Sequence, residues 1–302
     1  MGDGHVSTSG PSRCARIIAM SPATVGDVIA ALDAAYPREL AESWDAVGLV
    51  CGDPAEPVER ALVCVDVVDE TVTEALDLGA QLIVAHHPLL LRGVHGVPAD
   101  SSKGRVVHRL IRSGVALFCA HTNADSANPG VSDALAAAIG LTVERPLAPH
   151  ADNPETGLGR IGVLTEPEPF AAFVDRVSTA LPATVPGVSG AGDPNRLIKT
   201  VAVSGGSGDS FLSAAAGAGV DAYVTADLRH HPASEHVEAV TVAEGSPPAL
   251  VGVTHWASEW PWCEQAAGVI GAVNAGTVEV HVSHRCTDPW NVPTSTHEGS
   301  PQ

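Results

Sequence analysis

Basic residues are scarce in this chain: 16 Lys and Arg stand against 35 Asp and Glu, a net charge of −19. A nucleic-acid surface needs a basic stripe to displace phosphate counterions, so this balance argues against one. It also means that an anionic substrate must rely on metal ions to offset the field. Aromatic residues make up only 4% while Ala, Val and Gly dominate, so the core is built from small aliphatic side chains. None of the six cysteines (at 14, 51, 64, 119, 263 and 286) has CxxC spacing. That is a reduced, cytoplasmic pattern and not a disulfide framework. Cys64 and Cys119 fall inside apolar strand runs and are expected as buried thiols. No apolar run approaches the roughly 18 residues that span a bilayer, so no membrane association is expected. The first 20 residues lack the hydrophobic centre of a signal peptide.

Met20 directly precedes Ser21-Pro22, a favourable helix start, so the fold is expected to begin there with 1–19 as a disordered extension. The Pro- and Ser-rich stretch 287–302 is expected to be a disordered tail, and His297 is left out of the chemistry with it. Between these ends, helices and strands alternate. The pattern predicts helices over Ser21–Ala35, Thr71–Leu78, Lys103–Ser113 and Ser132–Ile139, with Gly79 and Gly140 as stops. It predicts strands over Val47–Cys51, Ala61–Val65, Leu82–Ala85 and Ala116–Ala120, hence an α/β sheet layered between helices. Arg60–His87 and Lys199–Asp227 share one order: basic residue, strand, polar turn, helix, glycine, strand, polar end. Gly79 falls on Gly219 and the histidine pair on Ala226-Asp227, a weak internal repeat that suggests duplication.

The chemistry is concentrated where apolar runs stop. Leu82–Leu91 reads LIVAHHPLLL: a buried strand ends on two histidines, and Pro88 restricts His87 and breaks the pairing. Both imidazoles can then turn toward one point at the strand's carboxyl end, where open α/β sheets place ligands. Leu117–Asp125 breaks in the same way onto His121, Asn123 and Asp125, and Ala249–Glu259 onto His255 and Glu259. A mixed imidazole and carboxylate set without thiolate suits zinc, iron, manganese or nickel. Two ions about 3.5–4 Å apart, bridged by a carboxylate, would use it well. Ser204–Gly208 is a glycine-rich turn leading into a helix, read as close helix–strand packing in preference to an anion cradle. Pro261 fits the first turn of a helix, which would leave His255 and Glu259 on the approach loop, and the nearby tryptophans are expected in the core.

His86-His87-Pro88, His121-Thr122-Asn123-Ala124-Asp125 and His255-Trp256-Ala257-Ser258-Glu259 resemble the three metal motifs of the Nif-three-like dinuclear-metal-centre proteins. These are commonly catalogued as GTP cyclohydrolase I type 2 homologues. Glu42–Leu49, ESWDAVGL, resembles that family's N-terminal signature, and the likeness covers about residues 21 to 286. By motif position, the resemblance implies His86, His87, Asp125, His255 and Glu259 as ligands of two divalent ions (zinc, iron or manganese), with His121 orienting a ligand or a water. It also implies two intertwined, pseudo-duplicated α/β subdomains, three-layered, with the metal site in the cleft between them. They would comprise 20–122 with 250–286, and 123–249. A toroidal homohexamer is implied too. Ala46 and Ala226 depart from the family's usual residues, and the chain is too short for the large insertion that some relatives carry. The second His-His-Pro, at His230-His231, becomes a pocket segment, so that His121, Asp227 or His231 could relay protons. The functional expectation is a cytoplasmic metal-dependent hydrolase of a phosphoester, nucleotide or purine-like substrate; the alternative is a non-catalytic metal-binding scaffold.

Overall fold

A computed structural model describes residues 22–239 and 247–293. The expected extension 1–19, and the tail beyond 293, lie outside the described residues. The chain opens with helix α1 (Val25–Ala35) and strands β1 (Gly48–Cys51) and β2 (Arg60–Cys64). Helix α2 (Asp69–Asp77), β3 (Leu82–Ala85), α3 (Ser102–Arg112) and β4 (Ala116–Cys119) follow. Two short helices, α4 (Thr122–Ser126) and α5 (Val131–Ala138), lead to β5 (Thr142–Pro149), β6 (Gly157–Pro169) and α6 (Phe170–Ala180). Next come β7 (Ser189–Ala191), β8 (Leu197–Ser207), α7 (Leu212–Ala218), β9 (Ala222–Ala226), α8 (His230–Glu238) and β10 (Ala249–Val253). Helix α9 (His255–Gly271) and β11 (Glu279–Val282) close the fold.

Two sheets result, ordered β1-β4-β3-β2-β11 and β5-β6-β8-β9-β10-β7. The chain leaves the first sheet after β4, builds the second, and returns through α9 to add β11 beside β2, so the two α/β units are intertwined. The return falls after β10, which pairs with β9 and β7. Alternation of side chains across each strand lets both faces carry core. In the first sheet Leu62, Ile83 and Leu117 pack under α2 and α3, while Val63, Val84 and Phe118 face α1 and α9. In the second, Val201 and Val224 face α5 and α6, and Ala202 and Tyr223 face the α7 side. Each fully buried Leu or Phe contributes on the order of 2 kcal/mol. Helix α9 touches β2, β8 and α5, and so stands between the two sheets.

The duplication is visible in atomic detail. Both β2–α2–β3 and β8–α7–β9 pair their strands in parallel. Gly79 and Gly219 sit in the left-handed region at φ 64° and 69° after the helix. Gln81 Oε1 then accepts from the backbone N–H groups of Glu59 and Arg60, and Asp221 Oδ2 from those of Lys199 and Thr200. One copy ends on His86-His87, the other on Ala226-Asp227.

Local details correct several expectations. Helix α1 begins at Val25, not at Ser21-Pro22, because Thr24 and Asp27 form a reciprocal capping box: Asp27 N donates to Thr24 Oγ1 (3.1 Å) and Thr24 N to Asp27 Oδ2 (2.8 Å). The glycine-rich segment at 204–208 is largely the end of β8, irregular between Val203 and Ser207, and Gly208 leads through a 3-10 turn at 209–211 into α7. The first part of the expected tail is ordered: Thr287 donates to Asp66, and Asp288 is buried. Composition alone does not register such specific partners. Among the described residues, no helix is long and apolar enough to cross a membrane.

Candidate metal centre

Three strand ends build the site. Beyond β3 the backbone stays paired for two residues, His86 N donating to Cys64 O (3.1 Å) and His87 N to Val65 O (2.9 Å), before Pro88 ends the run. Beyond β4, His121 breaks the extended path at φ −115°, ψ −108° and starts α4, where Asn123 Oδ1 receives the His121 N–H (2.9 Å). Asp125 is carried on that helix. Beyond β10, Thr254 caps α9 by accepting from Ala257 N. His255 and Glu259 therefore lie within α9, four residues apart on one face, and not on an approach loop. Pro261 is inside the helix; the Thr254 cap, and not the proline, sets the helix start. Trp256 and Trp262 are buried, as expected.

The donors converge on Glu259. Its Oε1 lies 2.9 Å from His255 Nε2 and 3.4 Å from His86 Nε2, and its Oε2 lies 3.0 Å from His87 Nε2. Asp125 Oδ1 stands 3.6 Å from His86 Nε2. Ring nitrogens of His86, His87 and His121 form one group whose atoms all lie within 4.8 Å of one another, and His87, His255 and Glu259 form another. The structure thus brings His121 among the inward-facing donors, whereas the motif resemblance implied an orienting role for it.

Each imidazole is held from behind. His86 Nδ1 contacts Ala120 O (2.9 Å), His87 Nδ1 Asp66 Oδ1 (2.7 Å), His121 Nδ1 Asp45 Oδ1 (2.9 Å) and His255 Nδ1 Asp227 Oδ2 (2.7 Å). A carbonyl or carboxylate can only accept, so Nδ1 carries the proton and the lone pair of each neutral ring is on Nε2. This is the arrangement by which metal-ligating histidines are oriented and made more basic. Asp45 and Asp66 went unassigned in the sequence reading. The available signal was position: Asp66 follows β2 as His87 follows β3, and Asp45 sits in the ESWDAVGL segment. Asp227 holds His255, at a left-handed φ of 55°. His231 is exposed on α8 with its ring beside His230, and is not brought to the donor group.

The electrostatics fit a cation. Burial disfavours charge on His87 and His255, yet the surrounding carboxylates, Glu259 foremost, raise them to about 11 and about 9. His86 is raised as well, burial being outweighed by Glu259 and Asp125. Burial opposes ionisation of Glu259, but the imidazoles of His87, His86 and His255 hold it well below the usual carboxylate range. Burial and the Glu259 charge push Asp125 up. Protons thus stand in for missing positive charge. Among the described residues, His86 Nε2 and Glu259 Oε2 are buried without a hydrogen bond of good alignment, although Glu259 Oε2 faces His87 Nε2 at 3.0 Å and His86 Nε2 faces Glu259 Oε1 at 3.4 Å. Buried polar groups that meet so closely without aligned hydrogen bonds suit a shared cation. The residues therefore fit a divalent metal: imidazole nitrogens with fixed tautomers and a carboxylate between them.

The backbone of β8 seals the far side. Gly206 N donates to Ser258 Oγ (2.9 Å), and Gly206 has φ +65°. A Cβ there would lie 2.4 Å from Glu259 Oε1, so only glycine lets the strand approach this close. On the open side, a cavity of about 450 Å³ is lined by Asp66, His87, His255 and Trp256 from the first unit and its returning helix α9, and by Asp227 and Val253 from the second. The cleft between the units is thus where the donors are exposed.

Fold and site together define a duplicated α/β protein with a histidine–carboxylate centre in the cleft between its halves. The Duf34/NIF3 (NGG1p interacting factor 3) family model matches residues 23–289, and the chain belongs to that family. A Streptomyces coelicolor protein named GTP cyclohydrolase 1 type 2 homolog is 51% identical over 287 residues, covering 92% of this chain and 99% of the relative. A Mycobacterium tuberculosis protein of the same name is 40% identical, covering 90% and 98%. That alignment runs over 378 positions, so the relative carries segments this chain lacks. Among solved structures, a NIF3-related protein of Bacillus cereus superposes with a TM-score of 0.79 at 24% identity, covering 89% of this chain and 99% of that one. A hypothetical protein of Staphylococcus aureus gives 0.79 at 25%, covering 90% and 100%.

Proposed function

We propose that this protein is a cytoplasmic two-metal hydrolase acting on a phosphoester, nucleotide or purine-like substrate, assembled as a homohexamer. The observation that carries the metal reading is the convergence of the His86, His87 and His255 Nε2 atoms on the buried Glu259 carboxylate, with His121 beside His86 and His87. His86, His87, Asp125, His255 and Glu259 would hold the ions, with His121 as a further donor. When bound, divalent zinc, iron or manganese would polarise a substrate oxygen and acidify water at neutral pH.

The chain's own residues supply orientation and proton handling. Asp66, Asp45 and Asp227 fix the rings of His87, His121 and His255. Asp227, half exposed at the cavity and bonded to His255 Nδ1 through Oδ2, can take up a proton from an incoming group on its other oxygen or return one to a leaving group. The curated relatives bear the name GTP cyclohydrolase 1 type 2 homolog, which is a reason to include purine nucleotides among the trial substrates.

Elemental analysis of tag-free protein tests the centre. About two ions per chain, reduced in His86→Ala and Glu259→Ala, is the expected result; a wild type that refuses zinc, iron and manganese would sink it. A hydrolase loses turnover in Asp227→Asn with metal retained, whereas a non-catalytic scaffold has no turnover to lose.

A further inference from the structure

We propose that Trp290, on the strap Thr287–Trp290, is the ligand-selecting wall of the metal cleft, stacking a planar heteroaromatic ring whose N–H edge faces Asp227. This rests on the metal-centre reading and adds the class of ligand the cleft prefers.

Trp290 lines the same cavity as His87 and His255, yet it is 70% exposed, so core packing does not account for its position. The strap is fixed from its other residues. Thr287 Oγ1 donates to Asp66 Oδ2, and Asp66 Oδ1 holds His87, so one carboxylate ties the strap to a metal-facing ring. Asp288 is 7% exposed and its Oδ1 accepts from Trp290 N (3.0 Å). The backbone is anchored while the indole stays open, which is how an aromatic platform is presented.

The rest of the lining says what lies against that platform. Among the described residues it contains no Lys or Arg; its charged groups beside the histidines are Asp66, Asp227 and Asp288, and its apolar ones include Val253 and Trp256. An anionic part of a ligand is repelled from this wall and directed to the cations. The part resting on Trp290 must be neutral, flat and able to donate N–H groups to carboxylates. The cavity, about 450 Å³, is of small-ligand size. Nucleobase-like rings meet these conditions, and a bare sugar phosphate does not.

The test uses full-length metal-loaded protein and two probes that share a phosphate and differ in the base, guanosine 5′-monophosphate and ribose 5-phosphate, titrated calorimetrically. Wild type is expected to bind the nucleotide on the order of tenfold more tightly, the scale of one base–aromatic stack. Trp290→Ala should bring the nucleotide to the sugar phosphate's level while leaving sugar phosphate affinity and metal content unchanged, and Trp290→Phe should restore most of the difference. Equal binding of both probes by wild type, or nucleotide binding that Trp290→Ala leaves intact, overturns the inference while the metal centre stands. So does a Trp290→Ala variant whose only change is in its association state. If wild type holds no metal, the proposed function and this inference fall together.

Discussion

At the scale of single residues, the centre depends on groups that are not themselves donors. Gly206 admits the Glu259 carboxylate only because it has no Cβ. Gly206→Ala is expected to displace Glu259 and lower metal content to near that of Glu259→Ala, while far-ultraviolet circular dichroism stays that of wild type. Asp66→Asn removes the charge behind His87 and loosens the strap, and such supporting changes typically cost about 10–100-fold in metal affinity, measurable by competition with a chelator. The titrations set a pH dependence for the metal-free protein. His255, raised to about 9, contributes stability fully present below about 6.5 and lost as pH climbs through 9. Glu259 is depressed, so its contribution is present above the usual carboxylate range and lost on acidification. Chelator-treated wild type should therefore melt lower at pH 9.5 than at pH 6, and His255→Gln should shrink that difference; an unchanged difference would refute the assignment.

At the scale of elements, caps matter more than propensities. Thr254 starts α9 and so places His255 and Glu259 on one face. Thr254→Ala should cost about 1 kcal/mol in denaturant unfolding and weaken metal retention together. Much of this scale was legible in the sequence. Leu82–Ala85 is a strand with the expected ends, and the strands and helices expected up to residue 139 lie within a few residues of those observed, because apolar runs stop abruptly at polar groups. Two features hid the rest. A proline seven residues into α9 looks like a start, and nothing local outweighs it until the Thr254 hydroxyl is seen accepting from Ala257. The supporting aspartates were illegible for another reason. Asp66 meets His87 across 21 residues and Asp45 meets His121 across 76, and no periodic pattern encodes a contact over such separations.

At the scale of the whole molecule, the donors follow β3, β4 and β10 and so flank the second sheet along the chain, and an ion that bound them all would stabilise only the complete fold. Saturating zinc or manganese is expected to raise the melting temperature and chelation to lower it, with a gain of about 2.7 kcal/mol at a hundredfold excess over the dissociation constant. His86→Ala should abolish that response, which differential scanning fluorimetry can follow. The return of the chain from the second sheet to the first has a consequence in time. His86 is made before the second sheet, and Glu259 and the strap bearing Trp290 after it. On the ribosome the first unit emerges with His86 and His87 lacking their carboxylate, and the donor set closes only after β10 and α9 have been synthesised. On the metal reading, an ion would be taken up in full only once α9 has packed back on the first sheet, and its uptake would report that the second sheet has been built.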